Sequence, residues 1–411
     1  MKQSFSKQPI FFSKLISIKE VTVSITFLLV VVLLLIFSKH SLDSIKSSIN
    51  IFLTCLLPSL MPFIILSEFA LNTNILNNVS TTFGGFLTKL FKLPKESSIA
   101  IILGFLCGFP TGSKAVNTLY NLGSINKKQA YTLLSFVNNC NPAFIITAIG
   151  IGVFGNISIG VILFISHYLS AILLGMFFSR LNYTTIIHEN SRNSKDIYEN
   201  NLFLRKFSNR NSFRKDNSNF IDILKKAILN SFLTLGIIFG FVAIFNLIFD
   251  SLKIILTNTS ISNDFILLFS GIFEISRGSF DLLKLNMSIQ NIICIESFLL
   301  GFSGLCIIFQ VFSTISEHNF KFSKLIFFKL LHGILSAIIT YALLRYTNLL
   351  NFDSLQILNN LDSYTTLFEF RASLTKAYLI SVSIILVILA CFWFYLKLKK
   401  VANNDYFKEG G

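Results

Sequence analysis

The chain has 411 residues, of which 53% are hydrophobic and only 13% charged, and its formal net charge is +15. A soluble domain carries about 25% charged residues and could not bury so many long apolar runs in one core, which excludes a soluble fold. Nucleic-acid binding is excluded too: the lysines and arginines lie between and beside the apolar runs, where they suit loops facing anionic lipid on the cytoplasmic side.

Ten apolar segments follow one another, several of them long enough to match the hydrocarbon core of a bilayer. The first, 21–37, carries no charge and follows a basic tail with Lys7, Lys14 and Lys19. Behind it stands only Phe37-Ser38-Lys39-His40, without a small-residue cleavage site, so it is expected to remain as a helix. Segment 49–70 contains Pro58 and Pro62 and ends near Glu68. Segment 97–120 contains Gly104, Gly108, Pro110, Gly112 and Lys114, and segment 131–154 is broken by Asn138, Asn139, Asn141 and Pro142. Segments 157–179 and 227–249 flank a long loop, 180–226, with ten Lys/Arg against five Asp/Glu. Segment 264–280 contains Gly271, Glu274, Arg277 and Gly278; segments 291–315, 326–346 and 375–396 follow, and Lys397, Lys399 and Lys400 close the series.

Basic tails and a basic central loop are all expected on the cytoplasmic side. Five full crossings before the loop would violate that, so one segment in each half should fail to cross. The expected fold is an all-α polytopic membrane protein with about eight full transmembrane helices, plus one re-entrant or broken helix per half. The expected organisation is a first membrane half over 1–179, a basic linker over 180–226, a second half over 227–396 and a tail over 397–411. Short likenesses suggest an internal two-fold repeat: Gly104-Phe-Leu-Cys-Gly108 with Gly301-Phe-Ser-Gly304, Leu169–Leu173 with Leu335–Ile339, and Asn50–Leu66 with Leu229–Phe245. Transporters contain such repeats, and broken segments at matching places mark their binding sites.

Three broken segments could carry chemistry. In Gly104–Lys114 a serine separates Gly112 from Lys114, which departs from a phosphate loop, and the surroundings are membrane helix rather than strand and helix. A broken helix fits better, its free backbone groups satisfied by protein, water or ligand. Gly108, Pro110, Thr111, Gly112, Ser113 and Lys114 are candidate site residues there; the alternative is a kinked packing helix with Lys114 reaching an interface. Asn138, Asn139 and Asn141 can both donate and accept, which suits an uncharged hydrogen-bonding solute; the alternative is adhesion between helices. Glu274 and Arg277, three apart, would share a helix face and could neutralise each other, either in the site or as a lock on packing. Glu68, Glu296, Gln310, His167 and His332 lie singly in or near apolar runs, the histidines expected to serve packing and Glu296 an interface. The six cysteines all lie in apolar stretches without a CxxC pair, so neither disulfides nor a metal site is expected, nor any cofactor. No constellation for catalysis stands out, and the chain is not expected to be an enzyme.

Leu57–Phe63, Gly108–Lys114, Asn138–Pro142 and Gly271–Ile275 together resemble the sporulation integral membrane protein YlbJ family, over essentially the whole chain. The first-half motifs are the most specific, whereas Gly301-Phe-Ser-Gly304 lacks a following Pro-Thr-Gly-Ser-Lys. The resemblance implies regions of the nucleoside-recognition, or Gate, type and a role in making the spore cortex, in a membrane of the sporulating cell. The leading expectation is a transporter or permease-like protein for a small polar solute. The rival is a scaffold for a cortex-assembly complex. Expected partners are membrane lipid, a small polar solute, and other sporulation membrane proteins or a second copy.

Overall fold

The computed structural model describes residues 38–190 except Asn74, residues 220–346, and four positions of the first apolar run. The expected span 375–396, most of 21–37, the middle of the basic loop and both tails lie outside the described residues. No strand occurs among the described residues.

The first long helix is α1 (Ser38–Ile51), a π turn (Phe52–Leu56) and α2 (Leu57–Leu71) in unbroken succession. Pro58 has no N–H for the carbonyl of Thr54, and the ladder widens just there: the Leu57 N–H bonds Phe52 O, five residues back. An amphipathic helix, α3 (Ile75–Phe91), comes next, in a stretch where no element was expected. The segment 97–120 folds as a hairpin of α4 (Ser97–Leu106) and α5 (Thr111–Asn121). Segment 131–154 is α6 (Lys127–Leu134), a non-helical break and a π-helix (Phe144–Val153); Asn126 and Gln129 form a capping box at its start. The long α7 (Ile157–Asn190) closes the first half.

The second half opens on α8 (Phe220–Thr257). A second hairpin follows, α9 (Asn263–Phe273) and α10 (Ile275–Leu282), with Ser262 capping its start and the chain turning at Glu274. Then come α11 (Ile289–Phe302) and α12 (Gly304–Ile315), separated at Ser303, and finally α13 (Phe322–Tyr346).

Five stretches among the described residues are long and apolar enough to cross a membrane: Lys39–Leu71, Ile157–Leu181, Phe220–Thr257, Ile289–His318 and Phe322–Arg345. Their exposed positions are large and apolar, as at Leu169, Leu173 and Phe177 on α7 and Ile334, Ile338 and Tyr341 on α13. A row of such side chains has no favourable contact with water and suits lipid. The protein is thus an all-α, multi-pass membrane protein. The α1–α2 rod packs along α8, and α13 packs on both α11 and α7. The hairpins pack on elements of the other half: α5 meets α12, and α10 meets the π-helix.

Two glycine crossings fix the hairpins. A Cβ on Gly104 would stand 2.1 Å from Val137 O, and one on Gly112 would stand 3.0 Å from the Gly104 Cα. In the second hairpin a Cβ on Gly278 would stand 2.1 Å from the Gly271 Cα. Only glycine allows backbones to approach this closely.

Candidate functional site

Each helix break leaves backbone groups without their usual partners, and here side chains from distant elements supply them. Pro142 has no N–H for the carbonyl of Asn138. The Nζ of Lys329, on α13, donates to that oxygen at 2.8 Å. The carbonyl of Asn139 accepts from the Phe109 N–H at 2.9 Å, which ties the tip of the first hairpin to the break in the next helix. The Tyr168 hydroxyl lies 3.0 Å from the carbonyl of Cys140 and 2.6 Å from that of Phe105. The Cys140 N–H donates to His167 Nε2 at 3.2 Å. Gly108, with φ of 76°, faces the same break: a Cβ there would stand 2.7 Å from Asn139 O.

The three asparagines largely serve the break itself. Asn138 Nδ2 donates to Leu134 O at 3.2 Å and Asn139 Nδ2 to Phe136 O at 2.9 Å, both at the end of α6. Asn141 Oδ1 accepts from the Phe144 N–H at 2.6 Å, and its Nδ2 donates to Ser59 O on α2 at 3.0 Å. Two acceptors remain over: the Oδ1 atoms of Asn138 and Asn139 are buried without a hydrogen-bond partner. On the hairpin, Ser113 Oγ returns to Pro110 O at 2.8 Å, and Thr111, Gly112 and Ser113 are buried.

Lys114 lies at the edge of this region. Its Nζ donates to Thr234 Oγ1 at 2.8 Å and stands 3.8 Å from Glu68 Oε1, joining α5, α2 and α8. The side chain is 35% exposed, so the pair with Glu68 should stabilise by less than about 1 kcal/mol. Lys114→Met should accordingly shift the melting temperature by no more than a few degrees in a detergent-solubilised thermal scan.

Glu274 and Arg277 do not form the expected mutual pair. The helix breaks at Glu274, whose extended backbone puts its carboxylate over the free N–H groups of α10: Ser276 N donates to Oε1 at 3.0 Å and Arg277 N to Oε2 at 2.8 Å. Glu274 is therefore a buried N-cap rather than a helix-face residue. The Arg277 guanidinium turns to α8, gripping Asp250 through Nη1–Oδ2 at 2.6 Å and Nη2–Oδ1 at 2.5 Å, with Asp281 at 3.6 Å. It borders an open cavity of about 370 Å³ shared with His40, Asp43 and Lys253.

The structure thus joins 108–114 and 138–142 directly and keeps Arg277 apart. Glu274 is linked to them less directly. The link runs through α10, the helix that Glu274 caps, which packs on the π-helix following the asparagine break. Glu296, expected at an interface, is fully buried; its Oε1 accepts from Ser279 Oγ at 2.8 Å. His167 and His332, read singly from the sequence, lie together with ring centroids 4.5 Å apart and planes tilted by 44°, and His332 Nε2 lies 3.0 Å from His167 O. Lys329, Asp250, Asp281 and Tyr168 were missed. Lys329 had a signal, a lysine inside an apolar run and three residues before a histidine, where an unpaired charge is costly.

Residues 53–157 match the Gate family, described as nucleoside recognition, a stretch running from the π turn of the first rod to the end of the first broken helix. The class is thus a multi-pass membrane protein, one stretch of which is similar to the nucleoside-recognition family. Within that class, the chain is similar to the sporulation integral membrane protein YlbJ. It is 27% identical to that protein of Bacillus subtilis (strain 168) over 313 residues, which cover 72% of this chain and 76% of the relative. No solved structure matches the chain.

Proposed function

We propose that the protein is a permease-like transporter of a small polar solute, acting in a membrane of the sporulating cell in support of cortex formation. The observation that carries this reading is that each hairpin turn rests on the break of the helix that follows. Phe109 N meets Asn139 O at 2.9 Å in one half, and in the other a Cβ on Gly304 would stand 3.2 Å from Gly271 O. Discontinuous helices that abut at their breaks form the solute sites of many transporters. Gly108, Pro110, Thr111, Gly112, Ser113, Asn138, Asn139, Asn141 and Glu274 are the solute-facing candidates, with Lys114 balancing charge nearby. The unpartnered amide oxygens suit a donor on the solute. Nucleosides are the first class to test, given the description of the matching family.

An internal duplication supports the same reading. The order long rod, hairpin, broken helix, long helix occurs as α1–α2, α4–α5, α6–π-helix, α7, with α3 inserted after the rod in this half alone, and again as α8, α9–α10, α11–α12, α13. In this order Leu169–Leu173 and Leu335–Ile339 both fall on the closing helix, but Gly104–Gly108 lies on a hairpin and Gly301–Gly304 on a broken helix. With each hairpin re-entrant and the first broken helix crossing, the described residues supply six crossings; the two further ones expected from the sequence, 21–37 and 375–396, lie largely or wholly outside the described residues. Both tails and the basic linker then face the cytoplasm.

A non-transporting scaffold for cortex assembly is the second reading, favoured by the closed packing: the space beside Asn138 and Lys329 is only about 10 Å³, room for one water. Thermal stabilisation of purified protein by nucleosides, amino acids or cell-wall precursors separates the two. Transport expects a saturable rise with one class, and Asn139→Ala should abolish that rise and spore heat resistance while protein level in the membrane is kept. A scaffold expects no solute effect, and heat resistance falling only together with protein level.

A further inference from the structure

We propose that Lys329 is a built-in cation: its ammonium occupies the place that a free coupling ion holds in other broken-helix carriers, so that the protein works without sodium or another monovalent metal ion. Unwound carbonyls at the C-terminal end of a half-helix are an attractive seat for a cation, because the helix dipole and the lone pairs both favour positive charge there. In this chain α6 ends at Leu134 and the break follows, with the carbonyl of Asn138 deprived of a donor by Pro142. The Lys329 Nζ lies on that carbonyl at 2.8 Å.

The surroundings of Lys329 are those of a seated ion. The residue is 6% exposed, and among the described residues no carboxylate lies within ion-pairing distance of it. Its second contact is His332 Nδ1 at 3.3 Å. Accepting from an ammonium requires that nitrogen to carry no proton, which places the ring proton on Nε2, toward His167 O at 3.0 Å. The Cys140 N–H fixes His167 in turn, since Nε2 must accept from it. With Lys329 as the ammonium, both imidazoles are neutral and every hydrogen bond at the break has one donor and one acceptor. Asn138 and Lys329 border the one-water space, and Asn138 Oδ1 is a further unpartnered acceptor. Removing the lysine head frees the Asn138 carbonyl and His332 Nδ1, an oxygen and a nitrogen donor that a small monovalent ion can use.

The inference rests on the breaks being the working site, but its test reads ion binding rather than transport. Full-length protein in nanodiscs is melted in sodium, potassium or choline chloride at equal ionic strength. The natural chain should melt at the same temperature in all three. Lys329→Ala should melt lower in choline and recover by several degrees in sodium or potassium, saturably with concentration. Saturable stabilisation of the natural chain by sodium or potassium overturns the proposal, and so does a folded Lys329→Ala protein indifferent to the ion. Should Lys329→Ala not fold in any salt, Lys329→Gln, which can still donate to Asn138 O without charge, replaces it under the same two criteria. A solute effect without any ion effect in the natural chain supports both readings, and an ion result of either sign leaves the solute reading to its own experiment.

Discussion

Gly278→Ala and Gly112→Ala should leave little folded protein in the membrane. The added methyl of the first would stand 2.1 Å from the Gly271 Cα, and that of the second 2.4 Å from Val137 O. Both obstacles are backbone, which has no rotamer to change, and overpacking of this kind costs about 3 kcal/mol or more. Gly236 and Gly240 on α8 have open space around their Cβ positions, so alanine there is the matched control; removing a helical glycine should be neutral or mildly stabilising. Fluorescence-detected size exclusion of the four variants checks this directly. Normal yield and melting for Gly278→Ala would show that the hairpin limbs are not pressed together as described.

Arg277→Ala should be the most damaging of the charge substitutions. It strands the carboxylate of Asp250, which is held by two short bonds and is only 19% exposed. Breaking a largely buried pair from one side costs about 3 kcal/mol. Asp281 suffers less, because Lys284 Nζ stays 2.6 Å from its Oδ1. Asp250→Ala should cost about as much, and the double variant should be less destabilised than the sum of the two, a coupling of about 1–3 kcal/mol. Additive losses in the melting curves would mean that the pair does not hold α10 to α8. Glu274→Gln makes a useful contrast: its one oxygen can accept from only one of the two N–H groups that the carboxylate caps on α10, leaving the other buried and facing an amide NH2, so it should cost about 1–3 kcal/mol and melt measurably lower.

The positions of the breaks were legible in the sequence because proline and clustered amides are expensive inside an apolar run. Pro110, Pro142 and the Asn138–Asn141 group all fall at or beside a gap between helices. The break at Ser303 was less visible: its left-handed conformation, φ of 70°, is carried by a serine before Gly304 rather than by a proline. Glu274 and Arg277 were seen, but their partners were misassigned, since spacing along a helix predicts a shared face only while the helix continues, and this one stops at Glu274. Lys329 escaped because its partner is a carbonyl 191 residues away, and no local pattern announces a long-range backbone acceptor. The run 75–91 was passed over because its apolar residues are interleaved with Asn, Ser and Thr, which reads as loop until its amphipathic face is packed.

The glycine crossings also have a mechanical meaning. Side-chain packing yields in small steps, by rotamer changes, but backbone laid on backbone has nothing to compress. The limbs of a hairpin therefore travel as one wedge, and a push delivered anywhere along it arrives at the tip undiminished. For the first hairpin the wedge includes Val137, whose carbonyl abuts both Gly104 and Gly112, so the tip and the asparagine break beside it behave as a single lever.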